Sequence, residues 1–534
     1  MGPVVGPVAE LVAGPVVTEG AHGAVSVAGP VVAPTIDDPV LRSASELVGG
    51  PSGRRSAGHP WWTPIRVVLA VACLAWLLAM AQKAPCAAEG WSGANDRYAK
   101  MCYSDVPFLY VGRGFAERRV PYADTGGRYP YLEYPVLTGW FAYASTLVDD
   151  VLHGWPDVAR RRAGPVDVVG ADPGVEAERR ALFPVTALLL APFVLLSAWF
   201  LAGTHRRRPW DALGFAAAPV LVLAGLVNWD LLAVAATCGA LWAWARGRPV
   251  LAGVMVGLGT AAKLYPLFLL GPMLVVALRH RDTRRGDDGR GDDGRGDDGR
   301  GDDGRGDDGS EDDGREDDGR GDDGRPSVGT FLQAAGAAAF TWVIVNLPVW
   351  IYGLAGWKAF WQFNAARGAD LGSLWLVASQ AGHPSTAHTI NVVSWAVFGA
   401  ICVLVLVLGL RAPVVPRVSQ LAFLVLAGFL LVNKVYSPQY VLWLLPVAVL
   451  ARPRWRDLLI WQTGEVFYFA MVWLYLGGYT ASGTSQAQDP AYPWAILVRV
   501  AAELYLVAVV VRDVLVPERD PVLSERGCGR TSTP

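Results

Sequence analysis

The chain has 534 residues, of which 52% are hydrophobic and 22 are Trp, a composition too apolar for an ordinary soluble protein of several domains. Its formal net charge of -2 hides an imbalance, because residues 286–325 hold 18 Asp plus Glu and 7 Arg, leaving 39 Lys plus Arg against 30 Asp plus Glu elsewhere. The bilayer is the expected solvent, the membrane-facing body is basic, and no nucleic-acid partner is expected.

Residues 1–60 are rich in Gly, Pro and Val with a loose GPVV echo, which sustains neither a helical nor a strand period and reads as a disordered tail. No signal-peptide pattern is read, since the first apolar run starts near Trp61 and lacks a small-residue cleavage site. A helix needs about 20 apolar residues to cross the hydrocarbon, somewhat fewer where the bilayer thins. On that basis spans are expected at 62–81, 181–203, 211–227, 230–245, 249–262, 264–279, 330–352, 390–410, 418–433, 439–451, 457–476 and 494–514. The fold class is therefore an all-α polytopic membrane protein with about twelve transmembrane helices.

The apolar run 134–152 is the difficult case. Counted as a span, it would place Arg206, Arg207 and Arg208 outside and invert the following loops. Left out, it allows one orientation in which the basic clusters around Arg54, Arg206, Arg246, Arg279, Arg411, Arg452 and Arg512 are all cytoplasmic. It is read as a helix lying in the interface, with Trp140 and Tyr143 at headgroup depth. A long first extracytoplasmic loop, 82–180, follows from that choice, with both chain ends in the cytoplasm. The units are then a tail 1–60, a membrane module 61–281, a linker 282–327, a second membrane module 328–514 and a tail 515–534.

Within the linker, the GDDGR repeat has no apolar residue to bury and reads as disordered. A calcium-binding β-roll is disfavoured because the apolar positions that wind such repeats are missing. The six Cys show no metal-ligand spacing. Cys73, Cys238 and Cys402 fall in apolar runs and read as small core residues, whereas Cys86 and Cys102 share the first outer loop, where the sequence leaves a disulfide open.

The chemistry-bearing residues collect on the outer side. Three turns, at Asn228-Trp229-Asp230, Lys263-Leu264-Tyr265 and Asn433-Lys434 to Tyr440, bring one acid and two Lys toward a common surface. A Lys there runs against the inside bias for positive charge, and a cation at membrane depth costs about 2.5–3.5 kcal/mol on insertion scales. Either Lys263 and Lys434 snorkel to headgroups, or they hold an anion such as a lipid phosphate, with Tyr265, Ser437 and Gln439 as neutral donors. The first loop alternates carboxylates with aromatics, from Asn95 to Pro107 and again from Tyr131 to Pro135. There Asp96, Asp105, Asp124 and Glu133 either pair with Arg97, Arg113, Arg119 and Arg128 as ordinary loop charges or include a carboxylate set to accept a proton.

Five stretches now carry a resemblance: C-Y-S-D-V-P at 102–107, L-E-Y-P-V-L-T-G at 132–139, V-N-W-D-L-L-A-V-A at 227–235, A-A-K-L-Y-P-L at 261–267 and N-K-V-Y-S-P-Q-Y-V-L-W-L-L-P at 433–446. In that order they resemble the actinobacterial branch of glycosyltransferase family 87, of GT-C architecture, which includes polyprenyl-phosphate-mannose-dependent α-mannosyltransferases. The resemblance implies a plasma-membrane hexosyltransferase that takes a sugar, expected to be mannose, from a polyprenyl phosphate donor. The sugar passes with inversion to a hydroxyl of a glycan or glycolipid on the extracytoplasmic face. It also implies that Asp105 is the general base and that Lys263 and Lys434, with Tyr265, Ser437 and Gln439, hold the departing phosphate. Tyr103, Arg113, Glu133, Tyr134, Asn228 and Asp230 are the candidates for substrate contact. Phosphate leaves readily, so neither metal nor cofactor is expected. His383 and His388 in the second outer loop rank below these. The rival reading is a secondary transporter that uses Glu465, Arg499 and Glu503, although Arg499 and Glu503 are spaced to neutralise each other on one helix face.

Overall fold

The computed structural model describes residues 38–49, 61–91, 96–288, 326–480 and 489–523. Among these the secondary structure is helical, with no strand. Five helices are long and apolar enough to cross a bilayer: Pro64–Ala88, Pro173–Thr204, Val328–Tyr352, Ala387–Arg411 and Ala491–Leu515. Five shorter apolar helices, Leu231–Ala245, Pro249–Ala262, Tyr265–His280, Val418–Val432 and Pro438–Ala451, lie between them. The protein is thus an apolar helical bundle of membrane type.

Several expected segments take a different form. The stretch 211–227 is not one helix but three pieces, Pro209–Ala212, Leu213–Ala216 and Pro219–Ala224. Pro219 has no N–H to donate and forces Ala218 out of the helical region, to φ -67 and ψ 124, so the chain restarts there. The helix expected at 457–476 is present as Trp455–Leu476, and it buries Asp457 and Glu465. The loop expected at 82–180 begins later, because the first long helix runs to Ala88. It also ends earlier, because Asp172 caps the helix Pro173–Thr204 by accepting from the Gly174 N–H. That helix has 32 residues and is about 48 Å long, so several turns stand clear of a hydrocarbon layer of about 30 Å.

Inside the region read as an N-terminal tail, Pro39–Gly49 is a helix. Asp38 caps it through the Val40 N–H and also accepts 2.8 Å from the Trp455 N–H, which docks the segment on the bundle. The GDDGR repeat from 289 to 325 and residues 524–534 lie outside the described residues. Cys238 is buried as expected, but Cys73 sits on an exposed face of its helix and Cys402 is half-buried.

The run 134–152 forms the helix Val136–Leu152, shorter than the five long helices, with Asp149 and Asp150 buried near its end. It packs against Pro173–Thr204 and Pro249–Ala262, where Thr138 donates to the Ala262 carbonyl at 2.8 Å. The helix Pro249–Ala262 also meets Val328–Tyr352 through small residues. A Cβ added to Gly253 would lie 2.1 Å from the Ala334 carbonyl, and one on Gly257 2.5 Å from that of Ala338. Two glycines four apart thus let the backbones of these two helices touch.

Candidate active site

The segment before Asp105 is tied down three times. A disulfide joins Cys86, at the end of the first long helix, to Cys102. Ser104 is extended, at φ -146 and ψ 141, and caps the helix Asp105–Gly112, whose Pro107 sits in the first turn where its missing N–H costs nothing. The Asp105 N–H then donates to the Val227 carbonyl at 2.7 Å, joining this loop to the turn that carries Asn228 and Asp230.

The Asp105 carboxylate accepts from the Tyr103 hydroxyl at 2.8 Å and from the Tyr134 hydroxyl at 2.6 Å. Burial raises its pKa above the ordinary carboxylate value, opposed by those two hydrogen bonds and by the charge of Lys263. The other loop acids behave differently. Glu133 pairs with Arg113 at 2.7 Å, Arg119 and Arg128 both bind Glu117, and Asp96 binds Lys100 at 3.4 Å. Arg97 lies over the Phe108 ring at 4.4 Å. Asp105 faces two phenols and no arginine, which is the arrangement of a group kept available rather than neutralised.

Lys263 ends the helix Pro249–Ala262 in an extended conformation and forms a 2.8 Å ion pair with Asp230. The other Asp230 oxygen accepts from the Trp443 indole at 2.7 Å, and the Asp230 N–H donates to the Asn228 side chain at 2.9 Å. The ammonium also lies 4.9 Å from the Tyr134 ring centroid and 5.5 Å from that of Trp443, within cation–π range. Lys434 is more open: it donates to the Asn391 side chain at 2.6 Å and to the Asn364 carbonyl, and has no carboxylate partner among the described residues. Burial and the nearby Arg367 lower its pKa.

These groups open onto one cavity of about 740 Å³. Of the expected site residues, Asp105, Tyr103, Glu133 and Tyr134 line it from the first loop, and Lys263, Tyr265, Lys434, Ser437 and Gln439 line it from the turns. Arg113, Asn228 and Asp230 stand behind the wall, each holding a residue of it or of its turn. His383 and His388 are exposed and do not line the cavity.

One positioning group went unrecognised in the sequence. Lys83 is fully buried and donates to the carbonyls of Tyr103, at 3.0 Å, and Leu223, at 3.5 Å, so it clamps the backbone two residues before Asp105. A cation two residues past an expected span, on the side the sequence reads as outer, was the available signal, of the same kind that drew attention to Lys263 and Lys434.

The Lys434 turn is held from below. The Asp370 N–H donates to the Lys434 carbonyl at 2.9 Å, and the Tyr436 N–H to that of Leu371 at 2.6 Å. Between these contacts Gly372 adopts φ +69, and a Cβ there would lie 2.2 Å from the Tyr468 hydroxyl and 2.5 Å from the Tyr436 carbonyl. Gly372→Ala is expected to cost about 1–3 kcal/mol, read as a lower melting temperature of the purified protein. Glu465, Arg499 and Glu503 do not line the cavity: Arg499 binds Glu503 directly and Glu465 accepts from Tyr436, which gives the transport reading no support.

No curated protein matches the chain. The sequence model of glycosyltransferase family 87 matches residues 176–285, a stretch that contains Asn228, Asp230, Lys263 and Tyr265 but neither Asp105 nor Lys434. The segment that supplies the Asp230–Lys263 pair is therefore similar to the glycosyltransferases of family 87, and it sits in an apolar helical bundle of membrane type.

Proposed function

We propose that the protein transfers a hexosyl group, mannose first among the candidates, from a polyprenyl phosphate sugar to a hydroxyl of a glycan or glycolipid on the outer face of the plasma membrane, with inversion. The observation that carries this reading is the sharing of one cavity by Asp105 and two lysines, each lysine from a turn distant in sequence. In the proposed step the acceptor O–H gives its proton to Asp105 while its oxygen bonds to the anomeric carbon. The bond from that carbon to the phosphate oxygen breaks, and the departing phosphate keeps the electron pair. Negative charge grows on the phosphate at that moment, which is where fixed cations at Lys263 and Lys434 lower the barrier. Tyr265, Ser437 and Gln439 would supply neutral contacts to the same oxygens.

The cavity fits a lipid-linked donor, because its far wall carries Phe360, Trp361, Trp395, Phe398 and Phe429 beside Lys434, an apolar surface next to a cation. The Cys86–Cys102 disulfide favours an oxidising compartment and hence the outer side for this loop.

The test is a membrane assay with radiolabelled polyprenyl phosphate sugars, followed by chromatography of the product. Transfer from polyprenyl phosphate mannose is expected, and failure with every such donor would sink the reading. In the same assay Lys434→Ala should raise the donor KM roughly 10- to 100-fold, the loss of a hydrogen bond to a charged group. An unchanged donor KM would remove Lys434 from the phosphate site.

A further inference from the structure

The helix that carries Asp105 is anchored at its other end in a buried set of charges that does not balance. Tyr110, fully buried in the helix Asp105–Gly112, donates from its hydroxyl to Glu178 at 2.6 Å. Glu178 sits near the start of Pro173–Thr204 and accepts two N–H groups of Arg161 at 2.7 Å, and Arg161 also donates to the Ala116 carbonyl at 3.0 Å. Beside this pair, Arg118 donates to Asp150 at 2.5 Å and to the Pro156 carbonyl at 2.9 Å. Each of these two carboxylates has its guanidinium.

A third acid, Asp149, has none. It is closed to solvent, and neither of its carboxylate oxygens has a hydrogen-bond partner among the described residues. On its own helix it faces Asp150 and His153, whose Nδ1 lies 3.4 Å from the Asp149 carboxylate and 3.0 Å from the Asp149 carbonyl. From Pro173–Thr204 it faces Glu178. The turn Phe115–Glu117 also packs on this helix, but Glu117 is taken up by Arg119, Arg128 and Tyr129. Of the other two helices packed against Val136–Leu152, Pro249–Ala262 has no titratable side chain, and Val328–Tyr352 has Tyr352, which donates to the Pro121 carbonyl at 2.9 Å. Three buried carboxylates therefore share two guanidiniums. An ionised acid with no partner is costly in such a place, and a proton removes the cost. Burial accordingly raises the Asp149 pKa to about 7, opposed by His153 and helped by Glu178 and Asp150.

We infer that Asp149 holds a proton in the active protein and that this proton keeps the Tyr110–Glu178 brace, and with it the helix of Asp105, in place, which makes Asp149, Glu178 and Tyr110 positioning residues for the base. The positioning rests on the proposed function, in which Asp105 is that base; the proton at Asp149 does not. When Asp149 ionises, a new negative charge beside Glu178 competes for Arg161, and the Tyr110 end of the helix is held less firmly. The sign follows from the direction of the shift. The folded pKa lies above the value of about 3.9 for a free Asp, so the stability conferred by this proton is fully present below that value and is lost as pH rises through about 7.

Two measurements test it. The first needs no substrate: the melting temperature of the full-length protein in nanodiscs as a function of pH. Asp149→Asn should melt about 2–4 °C above the wild type at about pH 8 and lose most of that advantage at about pH 5. A difference that does not change with pH, or no difference at either pH, overturns the proton. The second is the transfer assay. The wild-type kcat should fall above about pH 7, and that fall should be absent in Asp149→Asn, whose kcat matches the wild type on the acid side. Tyr110→Phe cuts the link between cluster and helix, so it should lower kcat about tenfold with the donor KM unchanged, and its kcat should no longer fall above about pH 7. An alkaline fall that persists in Asp149→Asn, or a Tyr110→Phe variant with wild-type kcat, overturns the positioning. The expected melting behaviour without transfer from any polyprenyl phosphate donor would defeat the proposed function, and the positioning of Asp105 with it, while the proton at Asp149 stands.

Discussion

Asp105→Asn is expected to lower sugar transfer by about 10²–10⁴-fold, the usual contribution of a positioned general base, while membrane insertion and yield stay at wild-type levels. The amide is nearly the same size as the carboxylate and can still meet the hydroxyls of Tyr103 and Tyr134, now 2.8 and 2.6 Å away. What it lacks is a basic oxygen. The pH profile supplies a second readout with a definite sign. Burial raises the Asp105 pKa, so its base form is lost as pH falls through a value above that of an ordinary Asp. The acid limb of kcat/KM should therefore appear above the usual carboxylate range and be missing from the residual activity of Asp105→Asn. The Tyr134 hydrogen bond opposes that rise, so Tyr134→Phe should shift the limb to still higher pH. Transfer by Asp105→Asn at the wild-type rate would eliminate Asp105 as the base. A limb that Tyr134→Phe moves downward would contradict the electrostatic account.

The outline of the fold and half of the site were legible because they rest on one-dimensional signals. Long apolar runs mark helices whatever their neighbours, and a Lys at the outer edge of an apolar run is conspicuous because it is costly there. Lys263 and Lys434 were singled out that way, whereas Asp105 was one of four acids in its loop until the family resemblance picked it out. The pairing of Lys263 with Asp230 was not legible, because it depends on how two turns separated by 32 residues meet in the packed bundle. Trp443 and Trp473 were hidden for a different reason: within an apolar helix an indole reads as bulk, and only the fold shows that one N–H binds Asp230 while the other has no partner among the described residues. The break at Ala218 could have been read from the Pro that follows it, but hydropathy averages over such a position.

The second large effect is expected from Arg499→Leu. Arg499 is 1% exposed in the helix Ala491–Leu515, binds Glu503 at 2.8 Å, reaches the Gly372 carbonyl at 3.4 Å and lies 3.7 Å over the Tyr436 ring. Tyr436 in turn donates to Glu465 at 2.9 Å and receives the Tyr468 hydroxyl on its carbonyl at 2.6 Å. One guanidinium therefore faces two buried carboxylates and braces the loop that carries Lys434. Removing it leaves those acids uncompensated in a low-dielectric interior, a loss of about 3–5 kcal/mol, read as a large fall in melting temperature and in the yield of folded protein. The double variant Arg499→Leu with Glu503→Leu should recover much of that stability, because the stranded partner goes with it. Activity should not recover in parallel. Gly372 still lacks the donor to its carbonyl, the turn above it is less firmly held, and the donor KM should stay raised although the protein melts near the wild-type temperature. Full recovery of both properties would mean that the charges serve stability alone and that Lys434 is positioned without them.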